Sequence, residues 1–386
     1  MSPSKSILDK IIASKNLQDA SRFEPDVIIA ELLKEVTPKE REVVLRRFGL
    51  ADNPVQTLEE IGKHFQITRE RVRQIQGAVV RKLRLLAAAK QQLDVLERTV
   101  TRLLHEHGGL LEANFLYEQL LSHVGNAPRH QRATTFVLAQ LLPELVERIR
   151  ESDRLQMGWK LKPVDLDFVH AALEVFGAII RQENRLFALE ELLSRFRADV
   201  FFQEHRERLL PLGATLGQSE DAAYDKVLRA FLTISQRIAS NLLGEWGLSE
   251  WPTVRPRRMG DKIFLCLRQV GKPLHFTAIA AAINAAKFDY KVAYPATIHN
   301  ELILDDRYVL VGRGIYALRD WGYEPGTVQD VVLQVLKNAA GPLTRAEVVA
   351  EVLRRRLVRQ STIHLALTNS DRVEKVGGRY QLKGPG

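Results

Sequence analysis

Residues 57–75 read TLEEIGKHFQITRERVRQI, and this stretch decides the fold of the segment around it. Thr57 followed three positions later by Glu60 is a helix N-cap pattern, so a short helix is predicted from Leu58. A tight turn near Gln66 and a second cap at Thr68 then predict a second helix. In that helix, apolar residues recur at steps of three and four and predict a buried stripe: Val72, Ile75, Val79 and Leu83. The pattern is that of a helix-turn-helix.

The opposite face of the second predicted helix is polar. Arginine can fork onto guanine, glutamate can accept from cytosine, and glutamine can pair with adenine in the major groove of DNA. We therefore expect this face to contact base edges through Arg69, Glu70, Arg73 and Gln74. Glu70 carries most of this argument, because a carboxylate facing phosphates weakens binding unless it reads a base. The alternative is a charged helix whose polar residues only solvate it.

Positive charge is concentrated on the same helix. The chain has 56 Lys and Arg against 47 Asp and Glu, a modest excess of +9 for 386 residues. Residues 69–84, however, hold six cations and a single acid. Contacts with DNA phosphates, which give affinity without sequence information, are predicted for Thr68, Arg71, Arg81, Lys82 and Arg84.

The C-terminal third contains two similar stretches about 65 residues apart. Each begins with Pro-Leu, at Pro273 and Pro342, and continues into an amphipathic helix and a second helix with the tripeptide Thr-Ile-His. Two β-type segments around glycines follow, at residues 308–311 and 315–318, and at 373–376 and 379–382. Helices followed by a β-hairpin are the plan of a winged helix.

Weaker copies of this plan lie upstream. Their predicted helices are residues 110–121, 134–145, 186–196 and 222–232, with hairpins ending near 161 and within 234–251. The predicted fold class is therefore mainly α with small β-wings: a helix-turn-helix domain plus tandem winged-helix domains. The predicted boundaries are 1–92 for the helix-turn-helix domain and 93–163, 164–254, 255–322 and 323–386 for the winged helices.

Several classes of function are disfavoured. A single cysteine, Cys266, permits no intrachain disulfide and no thiolate metal cage. No apolar run approaches the ~20 residues of a membrane helix, and no secretory signal is evident, so a cytoplasmic protein without membrane contact is expected. No nucleophile–base pair or phosphate-binding glycine loop stands out. We expect no enzymatic activity, no cofactor and no metal.

Some residues keep more than one interpretation. His299 and His364 occupy equivalent helix positions and are expected to pack beneath the wings, with DNA contact or metal binding as alternatives. An arginine cluster either touches phosphate or forms a solvated face: Arg354, Arg355, Arg356 and Arg359. Three tryptophans are expected to close small cores rather than stack on bases: Trp246, Trp251 and Trp321.

Residues 31–85 resemble region 4 of the sigma-70 family of bacterial transcription initiation factors. The matching motifs are TPKEREVVLRRFGL at 37–50, TLEEIG at 57–62, TRERVRQI at 68–75 and RKL at 81–83. The resemblance implies that Arg69, Glu70, Arg73 and Gln74 read the upstream promoter element. It also implies phosphate contacts at Lys39, Arg47 and Thr57, and docking on the flap of the RNA polymerase β subunit.

The sequence departs from that family in two respects. The family usually continues with Glu-Ala-Lys where this chain has Gln76, Gly77 and Ala78, which puts the target sequence in doubt. No counterpart of sigma region 2 is found, so the chain is not expected to act as a complete initiation factor by itself.

A second resemblance covers residues 257–323. ELILDDRYVLVGRGIYALRDW at 301–321 is similar to the winged-helix domain of the RNA polymerase delta subunit and the wider HARE-HTH group. This resemblance implies that the segment acts with RNA polymerase or on DNA, and it identifies no contact residues.

The predicted function is a sequence-specific, double-stranded DNA-binding transcription protein, a sigma-like accessory factor or regulator acting at promoters with RNA polymerase. A DNA-targeting subunit of a restriction or defence system is the alternative. A third possibility is a structural protein whose helix-turn-helix units have become docking surfaces.

Overall fold

A computed structural model of the chain describes residues 23–88, 91–209, 220–323 and 325–383. The first 22 residues of the predicted 1–92 domain and the last three of the 323–386 domain lie outside the described residues. The described part is mainly helical with small antiparallel sheets, which confirms the predicted fold class.

The first segment contains four α-helices: α1 (Pro25–Leu32), α2 (Pro38–Phe48), α3 (Leu58–Phe65) and α4 (Arg69–Ala88). Thr57 begins α3 with a reciprocal capping box: its backbone N–H donates to the Glu60 carboxylate at 2.7 Å, and Glu60 N–H donates to its hydroxyl at 3.2 Å. Thr37 and Glu40 begin α2 in the same way. The predicted start of the α3 helix is confirmed.

The next segment combines helices with a three-stranded antiparallel sheet in the order β1-β3-β2. Its elements are α5 (Gln91–Glu106), β1 (Leu110–Glu112), α6 (Ala113–Leu120), α7 (Pro128–Phe136), a π-helical turn (Val137–Leu141), β2 (Val146–Ile149) and β3 (Gly158–Leu161). The prediction of a helix through residue 145 is wrong: the helical path ends at Leu141 because Pro143 disfavours helical backbone at Leu142. The predicted helix at 110–121 starts with a strand instead, because Leu110 and Leu111 pair with β3.

A further set of helices precedes a two-stranded hairpin. Its elements are α8 (Leu166–Glu183), α9 (Leu189–Arg197), α10 (Val200–Leu209), α11 (Glu220–Ile234), β4 (Ile238–Ser240) and β5 (Trp246–Leu248).

The last two segments both have three helices followed by a β-hairpin. One consists of α12 (Met259–Val270), β6 (Leu274–His275), α13 (Phe276–Ala286), α14 (Pro295–Leu304), β7 (Tyr308–Gly312) and β8 (Ile315–Leu318). The other consists of α15 (Val328–Asn338), α16 (Arg345–Arg355), α17 (Gln360–Thr368), β9 (Val373–Val376) and β10 (Arg379–Leu382). Leu274 of β6 pairs with Tyr316, which gives the first hairpin a third short strand. At the equivalent position of the last segment, Leu343 forms a single β-bridge with Tyr380.

The chain divides into two compact units, residues 1–239 and 240–386. In the first unit one hydrophobic cluster contains Leu32 and Leu83 of the helix-turn-helix segment together with Leu104, Phe136 and Trp159. The predicted boundary at residue 92 therefore falls inside a shared core, and the division into separate domains stays a prediction. Among the described helices, none has the length and apolar character needed to span a membrane.

Candidate nucleic-acid interface

The apolar side of α4 is buried as the sequence predicts. Val72 and Leu83 are fully inaccessible, Val79 is almost so, and Ile75 is half-buried. Val72 packs with Val43 of α2 and Ile61 of α3 in a small core beneath the turn. Packing against α2 and α3 therefore holds α4 in one rotational position.

A close backbone approach makes the turn between α3 and α4 tight. Ile67 N–H donates to Gly62 O at 3.0 Å, and Gln66 adopts left-handed backbone with φ of 54°. A Cβ atom at Gly62 would lie 2.8 Å from the Ile67 carbonyl oxygen, so only glycine fits without displacing backbone. Gly62 therefore sets the distance between the two helices.

All four predicted base-contacting residues lie exposed on α4: Arg69, Glu70, Arg73 and Gln74. The Glu70 carboxylate accepts from Arg73 Nε at 2.8 Å and from Nη2 at 2.7 Å. Arg71 Nη1 donates to Gln74 Oε1 at 3.2 Å. The hydrogen bonds from Arg73 hold the pKa of Glu70 below its ordinary value, so the carboxylate is ionised at neutral pH. The face presents cations, an anion and an amide to solvent.

Several predicted phosphate contacts lie around this face. Lys39, Arg71 and Arg81 are exposed, and Lys39 Nζ lies 5.6 Å from the centre of the Phe65 ring. The hydroxyls of Thr57 and Thr68 accept from the backbone N–H groups of Glu60 and Arg71, respectively. Both threonines cap helices and are nevertheless exposed to solvent.

The other three predicted phosphate contacts are held by backbone carbonyls. Arg47 Nη1 donates to Gln56 O at 3.0 Å, and its buried Nε has no hydrogen-bond partner. Lys82 Nζ donates to Glu35 O. Arg84 Nε donates to Gln140 O at 3.0 Å and is half-buried. Phosphate contact at these three residues stays a prediction, and at Arg84 it would require breaking a contact with the 137–141 turn.

Sequence reasoning missed the residues that support the helix-turn-helix segment from behind. Arg132 Nε donates to Gly49 O at 2.7 Å, His130 Nε2 lies 3.3 Å from the Asp26 carboxylate, and the Phe136 ring meets Phe48 edge-on at 4.8 Å. These partners are far apart in sequence, and no local pattern marks them.

His299 packs against the wing of its segment, as expected, whereas the packing of His364 stays a prediction; Cys266 lies in a core cluster. The His299 ring lies 5.0 Å from Phe276 and 6.0 Å from Tyr316, centre to centre. In the part of the chain that the structure describes, no three potential metal-ligating side chains cluster together. Cys266 is fully buried, and burial raises the pKa of its thiol to about 11.

The arginine cluster near residue 355 is mostly engaged within the protein. Arg354 Nη1 lies 2.8 Å from Glu351, and Arg355 Nη2 lies 3.5 Å from the same carboxylate. Arg356 is 4% exposed and donates to Gly326 O. Burial lowers the pKa of Arg356 from its ordinary value.

Comparison with known proteins identifies the class of this segment. Residues 32–85 match the model of the family described as Sigma-70, region 4, which confirms the resemblance expected from the motifs. The segment is thus a helix-turn-helix of the sigma region 4 kind.

Individual relatives show the same partial match. RNA polymerase sigma factor SigA of Clostridium acetobutylicum is 45% identical over 69 residues, 18% of either chain. A Bacillus SigA is 42% identical over 90 residues, 21% of this chain and 24% of the relative. RNA polymerase sigma factor RpoD of Neisseria gonorrhoeae is 47% identical over 57 residues, 15% of this chain and 9% of the relative. The chain therefore spans less than a quarter of the length of these relatives.

Proposed function

We propose that this chain is a non-enzymatic transcription protein that recognises a short duplex DNA sequence through α4 and acts at promoters. One observation carries the proposal: Arg69, Glu70, Arg73 and Gln74 lie exposed on one face of a helix whose opposite face is core. A helix held in this way can enter the major groove with its N-terminal side chains against base edges.

The charge of this face favours specific over indiscriminate binding. Arg71 and Arg81 lie exposed on the same helix and supply cations for phosphates. Glu70 is ionised and would be repelled by phosphates. A carboxylate at this position can accept from a base such as cytosine, and it also orients the Arg73 guanidinium. In this proposal Arg69, Glu70, Arg73 and Gln74 read bases, and the surrounding cations and threonines position the helix.

RNA polymerase is the proposed protein partner, with the flap of the β subunit as the contact. The match to sigma region 4 supports this partner. The apolar side of the segment is already covered by Phe136, Leu138 and Leu141 of this chain. We therefore place the proposed polymerase contact on residues of the segment that remain exposed. Because RNA polymerase acts in the cytoplasm, a cytoplasmic location is part of the same proposal.

The proposed winged-helix arrangement, at 93–163, 164–254, 255–322 and 323–386, places further helix-turn-helix units on the same chain. The similarity of residues 257–323 to the polymerase delta subunit is part of this proposal. It is supported by the β7-β8 hairpin, which follows three helices and is joined by the short strand β6.

Selection of bound fragments from random duplex DNA tests the function. The full chain should enrich one short motif, and Arg69→Ala with Arg73→Ala should abolish the enrichment. Arg98→Ala, an exposed arginine on α5, is the matched control and should leave the motif unchanged. Absence of any enriched motif, or the same motif from the double variant, would refute base recognition by α4. Binding to polymerase with and without the β flap tests the partner separately.

A further inference from the structure

Aromatic side chains are rarely left exposed in this protein. Among the aromatic residues that the structure describes, only Phe115, Tyr290 and Tyr294 are exposed. Tyr290 is 92% exposed and Tyr294 is 65% exposed, and they lie four residues apart in the loop between α13 and α14. Exposing two large rings in one loop costs hydrophobic free energy, so the loop is a candidate contact surface.

This loop, residues 287–294, is firmly attached to the core beneath it. The Asn284 side chain makes two hydrogen bonds with Ala293: its Nδ2 donates to the carbonyl at 3.0 Å, and its Oδ1 accepts from the N–H at 2.7 Å. Phe288 packs against the core of the segment. Both ends of the loop are thus held while Tyr290 projects between them.

The exposed surface of the loop is positively charged, because its one acid is paired with a buried lysine. Lys287 and Lys291 are exposed. Asp289, the only acid of the loop, lies 2.7 Å from Nζ of Lys262, which is almost fully buried. Because Lys262 neutralises Asp289 from below, the outer surface combines two lysines with two tyrosine rings. This charge is complementary to a phosphodiester backbone.

The corresponding loop of the last segment, residues 356–359, contacts other parts of the C-terminal unit. There Leu357 N–H donates to Val311 O at 3.0 Å, and Arg356 is buried. Backbone contacts within the C-terminal unit therefore take up the 356–359 loop, whereas the 287–294 loop displays its rings to solvent. A depression of about 310 Å³ adjoins Tyr290, lined among others by Ile283, Asn284 and Phe288.

We infer that the 287–294 loop is a binding site for single-stranded nucleic acid, with bases stacking on Tyr290 and Tyr294 and phosphates contacting Lys287 and Lys291. Stacking on aromatic rings beside cations suits unpaired bases, because every base has an aromatic face that a duplex keeps covered. The site goes beyond the proposed duplex recognition by α4, and its residues lie in the other unit of the chain.

Fluorescence anisotropy of the full chain with labelled oligo-dT of 20 nucleotides, and with an unrelated 20-base-pair duplex, tests the site. Tyr290→Ala with Tyr294→Ala should weaken oligo-dT binding about tenfold or more. Tyr290→Phe with Tyr294→Phe keeps both rings and should bind as the unchanged chain does. Val376→Ala, another exposed apolar residue of the same unit, is the control for non-specific effects.

Lys287→Gln with Lys291→Gln gives a second readout that does not depend on the rings. The slope of log Kd against log salt should fall by roughly 1.4 for oligo-dT. No binding of oligo-dT by the unchanged chain, or equal binding by the alanine variant, would overturn the inference. An equal loss on duplex and oligo-dT would reassign the loop to duplex contact, and loss of a protein partner alone would reassign it to protein docking. Arg69→Ala with Arg73→Ala should leave oligo-dT binding at this site intact, so the two proposals fail separately.

Discussion

Glu70 and Arg73 form a two-point ion pair on the exposed face of α4, with N–O distances of 2.8 and 2.7 Å. The two residues lie one helical turn apart, and their side chains are 57% and 66% exposed. A pair so exposed adds little to stability because water screens it. The pair also fixes the direction of the Arg73 guanidinium, which in the proposed DNA complex would lower the entropy lost on binding.

Replacing Arg73 tests direct base contact. Arg73→Ala should weaken binding to the preferred duplex roughly tenfold or more and relax the sequence preference at one position. The measurement is Kd on the selected duplex and its single-base variants. A uniform loss on every duplex would instead identify Arg73 as a phosphate contact.

Replacing Glu70 should strengthen binding to unrelated DNA, whereas replacing Arg73 should weaken binding to the preferred duplex. Glu70→Gln removes a negative charge facing the phosphates, so affinity for unrelated duplex DNA should rise while discrimination between sequences falls. Titration of both duplexes at two salt concentrations measures this change. Weaker binding to the preferred duplex with no gain on unrelated duplex DNA would show that Glu70 acts only by orienting Arg73.

Thr57 caps α3 and is proposed to contact a DNA phosphate, and these two roles can be tested separately. Thr57→Ala removes the cap of α3 and should lower the free energy of unfolding by about 1 kcal/mol, whereas Thr57→Ser keeps the hydroxyl. Thermal unfolding followed by circular dichroism gives the stability. DNA affinity measured well below Tm then reports the phosphate contact, and an unchanged Tm in the alanine variant would contradict the capping role.

The capping glutamates make stability depend on acid pH. Hydrogen bonds from the Thr57 backbone and hydroxyl hold the pKa of Glu60 below its ordinary value near 4.5, and Thr37 does the same for Glu40. The folded chain binds these protons less readily than the unfolded chain. Their stabilisation is therefore complete above pH 4.5 and is lost as pH falls through the lower folded values.

We accordingly expect Tm to fall as the pH is lowered below 4.5, and less steeply in Glu60→Gln with Glu40→Gln, since glutamine does not titrate. Circular dichroism melts across this range measure the slopes. Parallel slopes in the two proteins would rule out a contribution from the caps.

Phe136 tests whether the helix-turn-helix segment and the following segment unfold together. Phe136 is 2% exposed and shares a core with Leu83, so Phe136→Ala should cost about 3–5 kcal/mol. Hydrogen exchange should then accelerate in α4 as well as in α7. Phe196→Ala is the matched control: Phe196 is equally buried and stacks on Phe176 at 4.1 Å, outside that cluster. Unchanged protection of α4 in Phe136→Ala would favour independent domains.

Local patterns predicted the helix-turn-helix and the hairpins well. A capping box joins residues three positions apart, and the buried stripe of α4 needs only a spacing of three and four. The strands at 315–318, 373–376 and 379–382 also agree residue for residue with the alternation and glycines that predicted them. The helix predicted through residue 145 ends at Leu141 instead, because Pro143 disfavours helical backbone at the residue before it.

The sequence by itself determined the exposed polar face of α4, because the apolar stripe on its opposite side and the caps at its start are short-range features. Only the tertiary structure decided that Arg84 contacts Gln140 and that Arg132 contacts Gly49, pairs separated by 56 and 83 residues. It likewise decided that Tyr290 and Tyr294 stay exposed while the 356–359 loop contacts a neighbouring strand. Such outcomes depend on which surfaces meet when separate helices share one core, and no periodicity in a single segment records that choice.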